Sequence, residues 1–184
     1  KKVDVITSVG DKHLGGEDFD NEIIKIIDKK YKKAKGKSLN INDAKLAMTA
    51  EKIKKILSSK DKVAEIVDGP KGPLKIEIKR EEFEESIDTY IEKIKMLMEE
   101  ALERADCKPS NISQSLLVGG STRIPLVTNI ITKIMKKAPV KGVNVDEAVA
   151  LGAAIYAGLQ SKTDLNSAQK KAMSMVELND VCNF

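Results

Sequence analysis

The 184-residue chain has no tryptophan, only three tyrosines and three phenylalanines, and no stretch that interleaves basic with aromatic residues. Nucleic-acid binders stack bases on aromatic rings within a basic groove, so no nucleic-acid partner is expected. The lysines between Lys25 and Lys37 read instead as a solvated helix end. Cysteine is equally scarce. Cys107 and Cys182 form no Cys-x-x-Cys pair, which excludes a disulfide framework and fits a reducing compartment. His13 is the single histidine, which excludes His-rich zinc sites and leaves one candidate base for a nucleophilic triad; it either bonds structurally or touches a ligand. No run of 18 apolar residues occurs and the N-terminus lacks a charged-then-apolar leader pattern, so no membrane partner and no secretion are expected.

What is present is 41% apolar and 33% charged residue with a net charge of +4, enough for a real core in one large or two small lobes. Val3 to Val9 alternates like a strand and runs into Gly10-Asp11-Lys12-His13-Leu14-Gly15-Gly16-Glu17-Asp18. The following residues predict a helix with Phe19, Ile23, Ile26, Ile27 and Tyr31 on one face, acids in the first turn, lysines at the end and Gly36 as its stop. A second helix is expected from about Ala44 to Ser59, with Leu46, Ala50, Ile53 and Leu57 facing inward. Its other side places Glu51, Lys54 and Ser58 in a row, which is either an i,i+3 surface ion pair or a polar stripe with a task.

Val63 to Val67 and Leu74 to Ile78 flank the turn-rich Asp68-Gly69-Pro70-Lys71-Gly72-Pro73 and predict a hairpin. A single long helix is expected from about Arg80 to Ala105, carrying Phe83, Ile87, Ile91, Ile94 and Met98. A strand from Ser115 then meets Gly119-Gly120-Ser121-Thr122-Arg123-Ile124-Pro125 and a further helix with Val127, Ile130, Ile131 and Ile134. Paired glycines ahead of a helix admit close approach of an anionic phosphate to backbone N–H groups, although an ordinary strand-to-helix turn uses the same residues. Asn144-Val145-Asp146-Glu147 reads as a capping box for a helix rich in Ala and Gly, which suggests close packing on a sheet, and Met173 to Leu178 reads as a last strand. No Pro-, Gly- or Ser-rich linker and no repeat divides the chain.

Three ordered motifs, Gly10 to Asn21, Leu117 to Pro125 and Asn144 to Ala150, closely resemble the seventy-kilodalton heat-shock chaperones, the Hsp70/DnaK-like family, over essentially the whole chain. The resemblance implies an α/β fold, namely lobe II of an actin-like (ribonuclease H-like) ATPase domain with an inserted α+β subdomain. Residues 1–12 plus 94–184 would form the α/β core, and 13–93 the inserted lobe of helices and hairpin. It further implies that Glu51 and Lys54 bond ribose hydroxyls, Ser58 reads the adenine, and Arg123 stacks on the ring with Ile124 beside it. Gly119, Gly120 and Ser121 would form the second phosphate and adenosine turn, Gly16 would lie by the first loop, and Asp146 would stand at the pocket edge. Lys55 occupies a position where an arginine often forms the other slice of the adenine sandwich. Lys12, Val145 and Val181-Cys182-Asn183-Phe184 also depart from the usual threonine, proline and Val-Thr-Pro-Leu.

The cofactor so implied is ATP or ADP, with Mg2+ expected only in the full-length domain. The first phosphate loop, catalytic lysine and metal-holding acids are expected before Lys1, so no catalytic residue is assigned within this chain. A parent ATPase would use a nucleotide-exchange factor at the inserted lobe and would engage a J-domain co-chaperone and unfolded polypeptides, in the cytoplasm or an organelle. Two other classes share parts of the pattern: a non-catalytic Hsp70-like regulatory module, and a sugar or acetate kinase of the same superfold.

Overall fold

Helix α1 (Gly16–Lys35) starts where the Asp18 carboxylate accepts the Gly15 N–H at 2.7 Å. It ends where Gly36 turns left-handed, φ 74°, and donates to Lys32 O at 2.8 Å. These coordinates belong to a computed structural model that describes residues 2–3, 5–140, 146–160 and 177–178. Phe19, Ile23, Ile27 and Tyr31 of α1 are fully buried against Leu46, Ala50, Ile53 and Leu57 of α2 (Ala44–Leu57). The Asp43 side chain caps α2 by accepting from Lys45 N at 2.8 Å.

Strands β2 (Lys62–Val67) and β3 (Leu74–Lys79) pair antiparallel with Val63 opposite Ile78 and Glu65 opposite Ile76. Their buried Val63, Val67, Ile76 and Ile78 complete the core with the two helices. The Tyr31 hydroxyl accepts from Lys71 N at 3.0 Å and donates to Gly72 O at 2.8 Å, which pins the hairpin turn to α1. Gly69 lies so close to that ring that a Cβ would stand 2.5 Å from Tyr31 Cζ. Arg80 closes the unit, donating from Nε to Leu57 O at 2.8 Å and pairing with Asp61 at 2.9 Å.

The expected long helix is two helices, α3 (Arg80–Ser86) and α4 (Asp88–Arg104), broken at Ile87. The Ser86 hydroxyl takes the Phe83 carbonyl at 2.7 Å, and Tyr90 N bonds Ile87 O in a tightened turn. Phe83 O also accepts the Ile87 N–H at 3.2 Å, and Phe83, Ile87 and Ile91 all stay buried across the break. Beyond α4, a short 3-10 turn at Pro109–Asn111 leads to an extended segment, then a second 3-10 turn at Gly120–Arg123 and α5 (Pro125–Met135). From this region Ile124 and Val127 join the core.

Three expectations are corrected here. Among the described residues of the predicted Val3–Val9 strand only Val3 is paired, in β1 (Lys2–Val3), which runs parallel to β4 (Glu177–Leu178). Residues 5–10 have no regular structure, and Val5 and Ile6 are exposed. The segment from Ser115 to Val118 is likewise unpaired by any strand among the described residues, with Leu116 and Val118 exposed. Alternation supplies a face for a strand, but the ladder needs a neighbour. Helix α6 (Ala148–Gln160) presents Val149 and Leu151 to solvent, and among the described residues its small residues are not packed on a sheet. Asn144 and Val145 of the expected capping box, and Met173 to Val176 of the last strand, lie outside the described residues.

Candidate functional site

The core of α1, α2 and the hairpin sets the outer side of α2 against the turn that precedes α5. Between them opens a cleft of about 680 Å³, lined by Gly16, Glu51, Lys54, Lys55, Ser58, Gly120, Ser121, Arg123, Ile124 and Asp146. Of the residues to which the resemblance assigns a nucleotide contact only Gly119 is missing from that lining. It stands one residue before it, at φ 91° and ψ 151°, and this glycine-only geometry turns the chain into the cleft. Thr122 fixes the turn by donating from Oγ1 to Gly119 O at 2.6 Å, and Thr128 Oγ1 donates to Thr122 O at 3.1 Å. Ile124, buried, anchors the turn in the core, and Pro125 opens α5.

The stripe on α2 is not the i,i+3 ion pair that its spacing allowed. Glu51 pairs instead with Lys55 at 2.8 Å, one turn along the exposed surface. This hydrogen bond holds the Glu51 carboxyl below its usual range and the Lys55 ammonium above its own. Lys54 turns inward. Its Nζ donates to Gly16 O and to Asp20 Oδ2, each at 2.8 Å, and the Lys54 and Asp20 side chains are 14% and 18% exposed. Ser58 Oγ donates to Lys54 O at 3.0 Å from its place at the end of α2.

Gly16 makes this arrangement fit. A Cβ there would lie 3.1 Å from Lys54 Nζ and 3.4 Å from Ser121 Oγ, so the start of α1 touches both walls. At the mouth, Arg123 Nη2 donates to Asp146 Oδ2 at 2.5 Å, with both side chains more than half exposed. Guanidinium hydrogen bonds lie in the plane of the group, so this contact leaves the flat face of Arg123 for stacking. His13 stays apart from the cleft lining; it is exposed, and its backbone N–H donates to Asp11 Oδ1 at 2.7 Å. Asp11 also pairs with Lys93, which ties the loop before α1 to α4.

The family model described as Hsp70 protein matches residues 2–183. The chain belongs to the Hsp70 family. Its Hsp70 relatives include the chaperone protein DnaK of Thermosipho melanesiensis, 38% identical over 185 residues that cover 96% of this chain and 31% of that protein. The DnaK of Thermosipho africanus is 37% identical with the same coverage, and that of Emiliania huxleyi is 38% identical over 165 residues, 85% of this chain and 26% of the relative. This Hsp70 chain thus spans less than a third of the length of these curated relatives.

Sequence reasoning missed Asp20. In the Hsp70 chain it read as one of several acids suited to the first turn of a helix, and nothing local tells that its partner is 34 positions away. Burial pushes its carboxyl above the usual range, against the opposing pull of the Lys54 ammonium, and Oδ1 is buried with no hydrogen-bond partner. Among the described residues no group of three or more His, Cys, Asp or Glu could hold a metal ion, and no helix is long and apolar enough to cross a membrane.

Proposed function

We propose that this chain is lobe II of an actin-like nucleotide-binding domain, with 13–93 as its inserted subdomain, and that the cleft binds the adenosine end of ATP or ADP. The observation that carries this reading is the convergence of ten residues from four separate stretches of chain on one cleft of about 680 Å³. That volume lies in the range of small-molecule sites, roughly 300–1,000 Å³. The donor set fits a nucleoside. Glu51 accepts from vicinal hydroxyls, and Lys54, with two N–H groups given to Gly16 O and Asp20, has a third for the sugar. Arg123 offers a planar face to the purine. The Gly120-Ser121 turn lies beside them, where the first phosphate would leave the ribose.

The whole protein is then an ATP-driven folding chaperone that couples hydrolysis to binding of unfolded polypeptide. Phosphoryl transfer relies on groups positioned around the γ-phosphate, and this chain contributes the adenosine side. Mg2+ and catalysis belong to the complete domain, a J-domain co-chaperone to the whole protein, and a nucleotide-exchange factor to the inserted subdomain. Calorimetric titration with ADP and with adenosine tests the cleft. Saturable binding that Arg123→Ala and Glu51→Ala each weaken by about tenfold, roughly 1.4 kcal/mol, is the expected result. Absence of binding up to millimolar ligand, here and in the complete domain, overturns it.

A further inference from the structure

Lys54 is held from two sides. Gly16 O and Asp20 Oδ2 each take one of its ammonium protons at 2.8 Å, and both acceptors come from the first turns of α1. The missing side chain of Gly16 leaves room for the ammonium, since a Cβ would stand 3.1 Å from it. Asp20 does not line the cleft, whereas Lys54 does. The Asp20 carboxylate is therefore placed to act on a ligand only through the lysine.

A lysine head on a four-carbon stem is an adaptable point charge, and free in a cleft it would follow any anionic or hydroxyl group. Fixed by two acceptors, its remaining N–H has one direction. Asp20 bears a cost in this position, because Oδ1 is buried without a partner. Packing alone would be served as well by an apolar residue of that size. We infer that Asp20 is a positioning residue which, by orienting Lys54, makes the cleft select ligands with an intact vicinal diol on the sugar. This role rests on the nucleotide reading of the cleft.

The test compares ADP with 3′-deoxy-ADP by calorimetric titration of the 184-residue chain, its Asp20→Asn and Lys54→Met variants and the double variant. The wild type should prefer ADP by about tenfold, the worth of one charge-assisted hydrogen bond. Asp20→Asn should lower ADP affinity toward that of 3′-deoxy-ADP and leave the latter unchanged, so that the preference collapses. A purely structural defect would weaken both ligands together, and that result overturns the inference. Should Asp20→Asn not fold, the double variant, which removes both charges, carries the test against Lys54→Met. Equal preference in these two supports action through the lysine, and any residual effect of Asp20 there overturns it. Wild type that binds neither nucleotide, with no binding in the complete domain either, removes the nucleotide reading and this role together. Wild type that binds both, with Asp20→Asn retaining the preference, removes only the role of Asp20.

Discussion

Gly16 and Lys54 meet head to backbone: the lysine ammonium donates to the Gly16 carbonyl at 2.8 Å, and a Cβ on the glycine would stand 3.1 Å from the same nitrogen. The crowded atom is the end of a flexible side chain, so Gly16→Ala should fold. Alanine is also the better helix former, by about 1 kcal/mol in a helix interior and less at the first turn. The expected result is a thermal midpoint within a few degrees of wild type, together with ADP affinity reduced several-fold because the ammonium has been displaced. Unchanged affinity would show that the ligand does not depend on this contact.

The neighbouring glycines of the second turn should respond in opposite ways. Gly119 sits at φ 91° and ψ 151°, a region essentially closed to other residues, whereas a Cβ on Gly120 would meet nothing within 4 Å. Gly119→Ala is expected to cost about 1–3 kcal/mol in urea unfolding. Gly120→Ala should stay within about 0.5 kcal/mol of wild type, as an open surface site does. Equal losses at the two positions would contradict the backbone geometry.

The hairpin gives a stability test remote from the cleft. Tyr31 is fully buried, its hydroxyl joins Lys71 N–H to Gly72 O, and Gly69 has no space for a methyl group above the ring. Gly69→Ala should cost about 1–3 kcal/mol by overpacking. Tyr31→Phe should cost a similar amount, about 1–3 kcal/mol, by leaving two turn groups without their partner. Both losses belong to folding, so ligand affinity measured well below the unfolding transition should not move.

Acid separates two carboxylates. The bond from Lys93, and then that from His13 N–H, hold Asp11 below its usual range. Its contribution is present above the unfolded pKa of about 4 and is lost as pH falls through the lower folded value. Asp20, raised by burial, has the opposite sign: its contribution is full below about pH 4 and is lost as pH rises through the higher folded value. Asp11→Asn should therefore flatten the acid limb of stability below pH 4. Asp20→Asn should remove a decline that begins just above it. Urea unfolding at half-unit steps from pH 3 to 7 reads both slopes, and slopes of the same sign would reject the assignment.

How far the sequence carries depends on the range of the interactions. Helices α1 and α2 and the hairpin are legible because their signals are local: a 3.6-residue stripe ending at Gly36, a second stripe of Leu46, Ala50, Ile53 and Leu57, and two alternating runs around a turn-rich hexapeptide. Strand character at Val5 and at Leu116 is not legible in the same way, since alternation states a preference and a ladder needs a neighbour. The break at Ile87 escapes periodicity because the apolar stripe of Phe83, Ile87 and Ile91 continues through it. In the cleft, residue types and order were visible through family resemblance. The inward turn of Lys54 and its partner Asp20 were not, because 34 residues and the packing of α1 on α2 separate them.

Arg123 supplies the sharpest test of the proposed adenosine site, because charge and shape can be separated in one residue. Its Nη2 is bound in plane to Asp146 Oδ2, and more than half of the side chain is exposed. Arg123→Lys keeps the charge and can still meet Asp146, but it loses the flat face. If the guanidinium stacks on adenine, lysine should be nearly as damaging as alanine, each weakening adenosine by about tenfold, since stacking on a base contributes about 1–3 kcal/mol. If charge alone matters, lysine should restore ADP affinity and adenosine, which carries no phosphate, should respond to neither substitution. Titration of both ligands against both variants separates these outcomes, and the adenosine column decides, because it contains no phosphate for a cation to attract.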